Sequence, residues 1–196
     1  ARADRFFRPI DRYRWAASRA GLRQLLSREL GIAPDAIVFG QEANGRPNLV
    51  GIEAVSFNLS HSADVAALAI SRDTRVGVDV EDIREIRSDE IERALSIAER
   101  LELAEAADAL QLETFFRFWT LKEAFMKGTG LGASLPLHDF DVSPAGPGLL
   151  RLKDAPAEPG RWRFDEFVPK PGIRAALAAR TDDRDLVVQW RWADFE

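Results

Sequence analysis

The stretch Trp119-Thr120-Leu121-Lys122-Glu123-Ala124-Phe125-Met126-Lys127-Gly128-Thr129-Gly130 gathers the side chains best suited to chemistry. The chain has four lysines against twenty-three arginines, and two of the four lie here. An ammonium is a compact, strongly hydrated point charge that can release a proton, which a guanidinium does not do. Glu123 and Lys127 stand four apart and share a helical face, with Trp119 one turn earlier on the same line. Taken alone they read equally as an exposed pair that adds roughly a few tenths of a kcal/mol to a helix.

Val76-Gly77-Val78-Asp79-Val80-Glu81 has the alternation of a strand. The three valines point to one face, a core face, and Gly77, Asp79 and Glu81 to the other. Two carboxylates side by side repel unless a cation lies between them, and paired hard oxygen donors suit Mg²⁺ or Mn²⁺. A solvated sheet edge is the plainer alternative. Gly77 leaves room for another backbone or a ligand to approach closely. The third cluster, Ser60-His61-Ser62, reads as a turn between strands whose hydroxyls and imidazole can donate to phosphate oxygens. It reads equally as a turn with local serine caps. A serine hydrolase is disfavoured, because no Gly-x-Ser-x-Gly elbow occurs in the chain.

In this order the three pieces resemble the 4′-phosphopantetheinyl transferases of the larger, surfactin-synthetase-activating type. That family carries a Ser-His-Ser turn, then Gly-x-Asp-x-Glu, then Trp-x-x-Lys-Glu-Ala-x-x-Lys-x-x-Gly, here Ser60 to Ser62, Gly77 to Glu81 and Trp119 to Gly130. Asn44-Gly45-Arg46-Pro47 stands where members carry Gly-Lys-Pro, with Arg46 keeping the charge of the lysine but not its chemistry. The resemblance covers roughly residues 5 to 135.

The resemblance implies an α+β fold of two pseudo-duplicated halves, residues 1–73 and 74–196. Each half is a helix on a small, mostly antiparallel sheet, with the active site in the cleft between them. It implies that coenzyme A binds across the cleft, its pyrophosphate on Mg²⁺ or Mn²⁺ held by Asp79, Glu81 and Glu123. Arg14, Arg46, Ser60, His61, Lys122 and Lys127 are the implied co-substrate contacts, and Arg5 is a further candidate. A serine of an acyl or peptidyl carrier protein would attack the β-phosphate, and 3′,5′-ADP would leave. Glu123 and Lys127 are the implied catalytic pair, Lys127 neutralising growing charge and Glu123 taking the serine proton directly or through water. A metal-bound water or another carboxylate stays open as the base. Two rival readings use the same residues: a Mg-dependent nucleotide or coenzyme A hydrolase, and a silent module that binds carrier proteins.

The elements that must hold these residues follow from periodicity and punctuation. A helix is expected from about Ile10 to Leu30, closed by Gly31, and strands near Ile37–Phe39 and Ser56–Leu59, with Asn44-Gly45 a turn between them. Another strand covers Val65–Ser71 and leads through Arg72-Asp73-Thr74 into the Gly77–Glu81 strand. Helices are expected over Ser88–Ala109 and Leu112–Lys127, the second capped by Gly128 and Gly130. Strands should follow at Phe140–Val142, Trp162–Val168, Ile173–Ala179 and Leu186–Trp192.

With 196 residues, 46% of them hydrophobic, the chain can bury a sizeable core as one domain or two small ones. No run is long enough to span a bilayer, and the Arg-rich start lacks the apolar stretch of a signal peptide, so a cytoplasmic protein without a membrane partner is expected. Without cysteine there is no disulfide and no thiolate zinc site. Residues 1–30 balance at +5 and residues 79–113 at −8, within a net charge of −5. The arginine-rich first helix is either a solvated face or a source of phosphate contacts. An acidic chain without an aromatic-basic motif argues against nucleic acid and for a nucleotide-sized polyanion. The length disfavours the shorter family members that work as trimers, so a monomer is expected. The apolar residues of the acidic segment, Ile91, Leu95, Ile97, Leu101 and Leu103, either all pack inward, or part of their helix, or the loop before it around Ile83 and Ile86, forms a dock for the carrier.

Overall fold

The computed structural model describes residues 8–153, 161–183 and 186–193; Arg5 lies outside them. Helix α1 (Pro9–Leu30) opens on a proline, whose missing N–H is no loss in a first turn, and ends at Gly31 with φ 69°. Its Leu22 and Leu26 pack with Ile37, Leu49, Val55 and Phe57. Strands β1 (Phe39–Gln41) and β2 (Pro47–Leu49) form a short hairpin around Asn44-Gly45, where Gly45 takes φ 83°. Strands β3 (Val55–Ser62) and β4 (Val65–Arg72) pair antiparallel along their whole length.

After a tight turn, β5 (Arg75–Asp82) joins a second sheet in the order β5-β9-β8, with β8 (Trp162–Phe167) and β9 (Ile173–Arg180). Helices α2 (Ser88–Ala94) and α3 (Ile97–Glu105) lead to α4 (Gln111–Thr129), which packs on β5 and β9. Strands β6 (Phe140–Ser143) and β7 (Gly148–Leu152) form a separate pair. The architecture is therefore α+β, built of helices on small antiparallel sheets. Phe115, Phe116, Phe118, Leu121 and Phe125 of α4 meet Phe140, Val142, Phe164, Ala176 and Ala178 in the larger core. Each such phenyl contributes about 1.5–3 kcal/mol by leaving water. Among the described residues no helix is long and apolar enough to cross a membrane.

Strands β3 and β5 lie against each other yet belong to different sheets. Side chains replace the backbone ladder there. Ser56 Oγ, Asn58 Oδ1 and Ser62 Oγ accept the N–H groups of Val76, Val78 and Asp82 at 3.3, 2.8 and 3.1 Å. Strand alternation puts these even-numbered residues on the seam and leaves Val55, Phe57 and Leu59 for the α1 core.

Several expectations need correcting. Ser60-His61-Ser62 is not a turn but the end of β3, and the turn is Ala63-Asp64, with Ala63 at φ 50°. The helix expected over Ser88–Ala109 is broken at Leu95, which turns extended and fully buried. A capping box restarts the chain as α3, with Ser96 Oγ accepting from Glu99 N and Glu99 Oε2 from Ser96 N. Gly128 lies inside α4, and only Gly130, at φ 75°, ends it. Strand β7 was not expected, and residues 186–193 form no strand. That segment is held by side chains instead: Leu186 and Trp190 pack against the sheet, and Trp190 stacks on Phe167 at 4.8 Å and donates to Asp165 Oδ2.

Candidate active site

Strand β5 is buried on both faces. Val76, Val78 and Val80 are at most 3% exposed on one side, while Gly77, Asp79 and Glu81 face α4 on the other. Gly77 lies directly under the helix and so brings Asp79 to the last turns of α4. There the Lys127 ammonium donates to Asp79 Oδ1 at 2.6 Å and to Ser60 Oγ at 3.0 Å. Ser60 Oγ in turn donates to Asp79 Oδ1 at 2.9 Å. Glu81 accepts from Trp119 Nε1 at 3.3 Å and from Ser62 Oγ at 3.2 Å. The site therefore draws on β3, β5 and α4, across the seam between β3 and β5.

Its electrostatics are those of crowded acids. Burial pushes the Glu123 carboxyl from 4.5 up to about 7; the charges of Asp79 and, less strongly, Glu81 push the same way, against the pull of Lys127. Burial and Asp79 also raise Glu81, with Ser62, Trp119 and Lys127 opposing. Asp79 is 2% exposed, and its Oδ2 is buried without a hydrogen-bond partner among the described residues. An orphaned carboxylate oxygen beside two acids that resist ionising is a donor set matched to a hard divalent cation. Among the described residues no three acidic or histidine side chains are drawn together closely enough to enclose one as they stand. Lys127 holds Asp79 in its place, so the fit lies in donor chemistry rather than in a closed cage.

Of the other expected site residues, two are turned away. Lys122 is fully buried, bonded to both Glu99 oxygens and to the Phe140 carbonyl, on the core side of α4. Burial lowers its pKa and Glu99 opposes that. It is thus sealed from any co-substrate, because position 122 falls on the apolar face of the helix while 123 and 127 do not. Arg46, 7% exposed, is likewise committed inward, to the carbonyls of Lys127, Gly128, Phe57 and Val76 and to Ser56 Oγ. These five acceptors take up its two terminal nitrogens, and its Nε lies 4.0 Å from Glu42 Oε1. His61 is exposed on the opposite face of β3 from Ser60, at the end of the strand. Arg14, 41% exposed and paired loosely with Asp11 at 3.9 Å, lies close enough to feel Asp64 in the turn after His61. Both are open to solvent.

Glu99 was missed, although its capping box Ser96-x-x-Glu99 is visible in the sequence. It neutralises Lys122 and also accepts from Val142 N at 2.9 Å. A groove further along α4, lined by Glu113, Arg117, Glu166, Phe167, Val168 and Arg174, has no part in the carboxylate cluster. Both of its arginines are already paired, Arg117 with Glu166 and Arg174 with Glu113.

Comparison with known proteins gives consistent matches. Residues 75–180 match the family described as the 4′-phosphopantetheinyl transferase superfamily, and residues 1–73 match 4′-phosphopantetheinyl transferase, N-terminal. The chain is 35% identical over 184 residues to 4′-phosphopantetheinyl transferase HetI of Nostoc sp., covering 91% of this chain and 75% of that one. It is 36% identical over 156 residues to 4′-phosphopantetheinyl transferase psf-1 of Bacillus pumilus, covering 79% of this chain and 66% of that one. A crystal structure of Thermotoga maritima holo-[acyl-carrier-protein] synthase aligns with 55% of this chain and 63% of that chain, at 26% identity and a TM-score of 0.42. The chain thus spans about two thirds to three quarters of the length of these two relatives.

Proposed function

The chain belongs to the 4′-phosphopantetheinyl transferase superfamily, and from that premise we propose that it moves 4′-phosphopantetheine from coenzyme A to a carrier protein. The acceptor is a serine hydroxyl of an acyl or peptidyl carrier protein. The observation that carries this reading is the meeting of Asp79, Glu123, Lys127 and Ser60 at the seam of the two halves.

The serine oxygen forms a bond to the β-phosphorus of coenzyme A, and the bond from that phosphorus to the bridging pyrophosphate oxygen breaks. 3′,5′-ADP leaves with the electron pair, and the serine proton passes to Glu123. Asp79, Glu81 and Glu123 would hold Mg²⁺ or Mn²⁺, which when bound supplies positive charge to the pyrophosphate. Phosphoryl transfer of this kind depends on positioning and charge neutralisation more than on covalent catalysis. Lys127, with three donors on a flexible stem, can turn from Asp79 to a pyrophosphate oxygen as charge grows there. Glu123 takes the base role in this reading, directly or through a water, because it is the carboxylate on the same helical face as Lys127. Arg14 and His61, exposed beside the β3–β4 turn, would meet the 3′-phosphate end. Residues 1–73 would then supply the nucleotide contacts, and residues 74–196 the metal, the catalytic helix and the carrier dock. The protein would act as a monomer in the cytoplasm, with no nucleic acid involved.

The test is mass spectrometry of apo-carrier proteins incubated with this protein, coenzyme A and Mg²⁺. A gain of one phosphopantetheine with Mg²⁺, and none with EDTA or with Asp79→Asn, supports the reading. Release of phosphopantetheine from coenzyme A with the carrier unmodified would replace it with the hydrolase.

A further inference from the structure

Arg46 joins four elements at once. From the loop between β1 and β2 its guanidinium donates to the Lys127 and Gly128 carbonyls at the end of α4. It also donates to the Val76 carbonyl on β5 at 2.6 Å, and to Ser56 Oγ and the Phe57 carbonyl on β3 at 3.0 and 3.4 Å. Its Nε lies 4.0 Å from Glu42 Oε1. Arg75 completes the arrangement, donating to the Thr129 carbonyl at 3.2 Å while Glu42 holds it at 2.7 Å.

The last carbonyls of a helix have no partners within it, and they carry the negative end of its dipole. Here three of them, at Lys127, Gly128 and Thr129, are met by two guanidinium groups, one from each half of the molecule. The first of the three belongs to Lys127, whose ammonium is held to Asp79 and Ser60. The packing around the clasp is close, since a Cβ at Gly130 would stand 2.6 Å from Asn44 Nδ2 and 3.7 Å from Arg46 Cδ.

We propose that Arg46 is a positioning residue, which clasps the end of α4 to the first half and so aligns Lys127 with Ser60 and Asp79. It does not touch coenzyme A. A lysine at this position would keep the charge but lose the planar fork that spans acceptors on three elements. The consequence for transfer rests on the activity proposed above, whereas the clasp itself rests only on the contacts of Arg46.

Two experiments decide the matter. In the first, the folded wild-type protein is treated with phenylglyoxal, and the modified arginines are mapped by mass spectrometry with and without 3′,5′-ADP. Arg46 should stay unmodified under both conditions while Arg93, 71% exposed, reacts. Arg46 modified in the free protein and protected by 3′,5′-ADP would overturn the proposal. In the second, Arg46→Lys is compared with wild type by steady-state kinetics and by amide exchange of residues 127–131. The expected result is faster exchange at this helix end, kcat down about tenfold or more, and KM for coenzyme A within about twofold of wild type. A KM raised about tenfold with kcat and exchange unchanged would identify a phosphate ligand instead. A variant with unchanged kcat, whatever its thermal stability, would reduce Arg46 to a structural tie. Absence of transfer in the wild type would overturn the proposed function and leave the modification and exchange results to judge the clasp.

Discussion

Gly77 on β5 and Gly128 on α4 pass so closely that neither has room for a side chain. A Cβ at Gly77 would stand 2.1 Å from the Ala124 carbonyl oxygen and 2.3 Å from Gly128 N, and one at Gly128 would stand 2.9 Å from the Trp162 ring. The strand bearing Asp79 and the helix bearing Lys127 are in reach of each other because of this approach. Gly77→Ala forces main chain against main chain, which no rotamer change can relieve. It should cost about 1–3 kcal/mol or more in urea unfolding and take transfer down about a hundredfold or more in the protein that remains folded.

Lys127→Arg tests whether an ammonium is required. The guanidinium is bulkier and planar, and it must fit where Nζ now contacts both Asp79 Oδ1 and Ser60 Oγ. We expect kcat to fall about 10- to 100-fold in steady-state assays with a smaller change in KM for coenzyme A. Turnover near that of wild type would return Lys127 to ordinary helix surface.

Glu123 predicts a pH dependence of stability in the absence of divalent cations. Its carboxyl titrates at about 7 in the folded protein against 4.5 ordinarily. Between these values the folded protein holds a proton that the unfolded chain has lost. Its contribution is therefore complete below about 4.5 and is lost as the pH rises through about 7. Urea midpoints measured from acid to neutral pH should fall in wild type and flatten in Glu123→Gln. Parallel curves for the two proteins would contradict the assignment.

Lys122→Ala separates a core ion pair from a co-substrate ligand. Removing the ammonium strands Glu99, which is 2% exposed. Loss of one partner of a buried pair costs about 3–5 kcal/mol. Denaturant unfolding should show a loss of that size, while KM for coenzyme A stays at its wild-type value. A raised KM with unchanged stability would restore Lys122 to the binding site.

The proposed function requires a surface that docks the carrier, and α3 is the expected place. Ile83 and Ile86 are half-buried against the larger core, whereas Ile97 and Leu101 lie one turn apart on α3, 71% and 64% exposed. Ile97→Glu should raise KM for the carrier about tenfold and leave that for coenzyme A alone. Affinity for the carrier should depend weakly on salt, as an apolar contact does. A steep loss with moderate salt would point to the arginines of α1 as the docking face.

Much of this was legible in the sequence because it rests on period and spacing. The alternation from Val76 to Glu81 put the acids on one face, and the four-residue step put Glu123 with Lys127, since both follow from local backbone geometry. Gly31 and the Asn44-Gly45 turn were legible for the same reason, as positive φ is a local demand that glycine meets. What sequence spacing could not decide was which face of each element met which neighbour. Lys122 and Lys127 share one helix, yet a rotation of five residues about its axis sends one into the core with Glu99 and the other to Asp79. Arg46 carries the same charge wherever it points, and only the unpaired carbonyls at the end of α4 and between β3 and β5 turned it inward. A residue's type and period are properties of the chain beside it; its partner is set by whatever distant segment packs against it, as α3 does for Lys122, β5 for Lys127 and the end of α4 for Arg46.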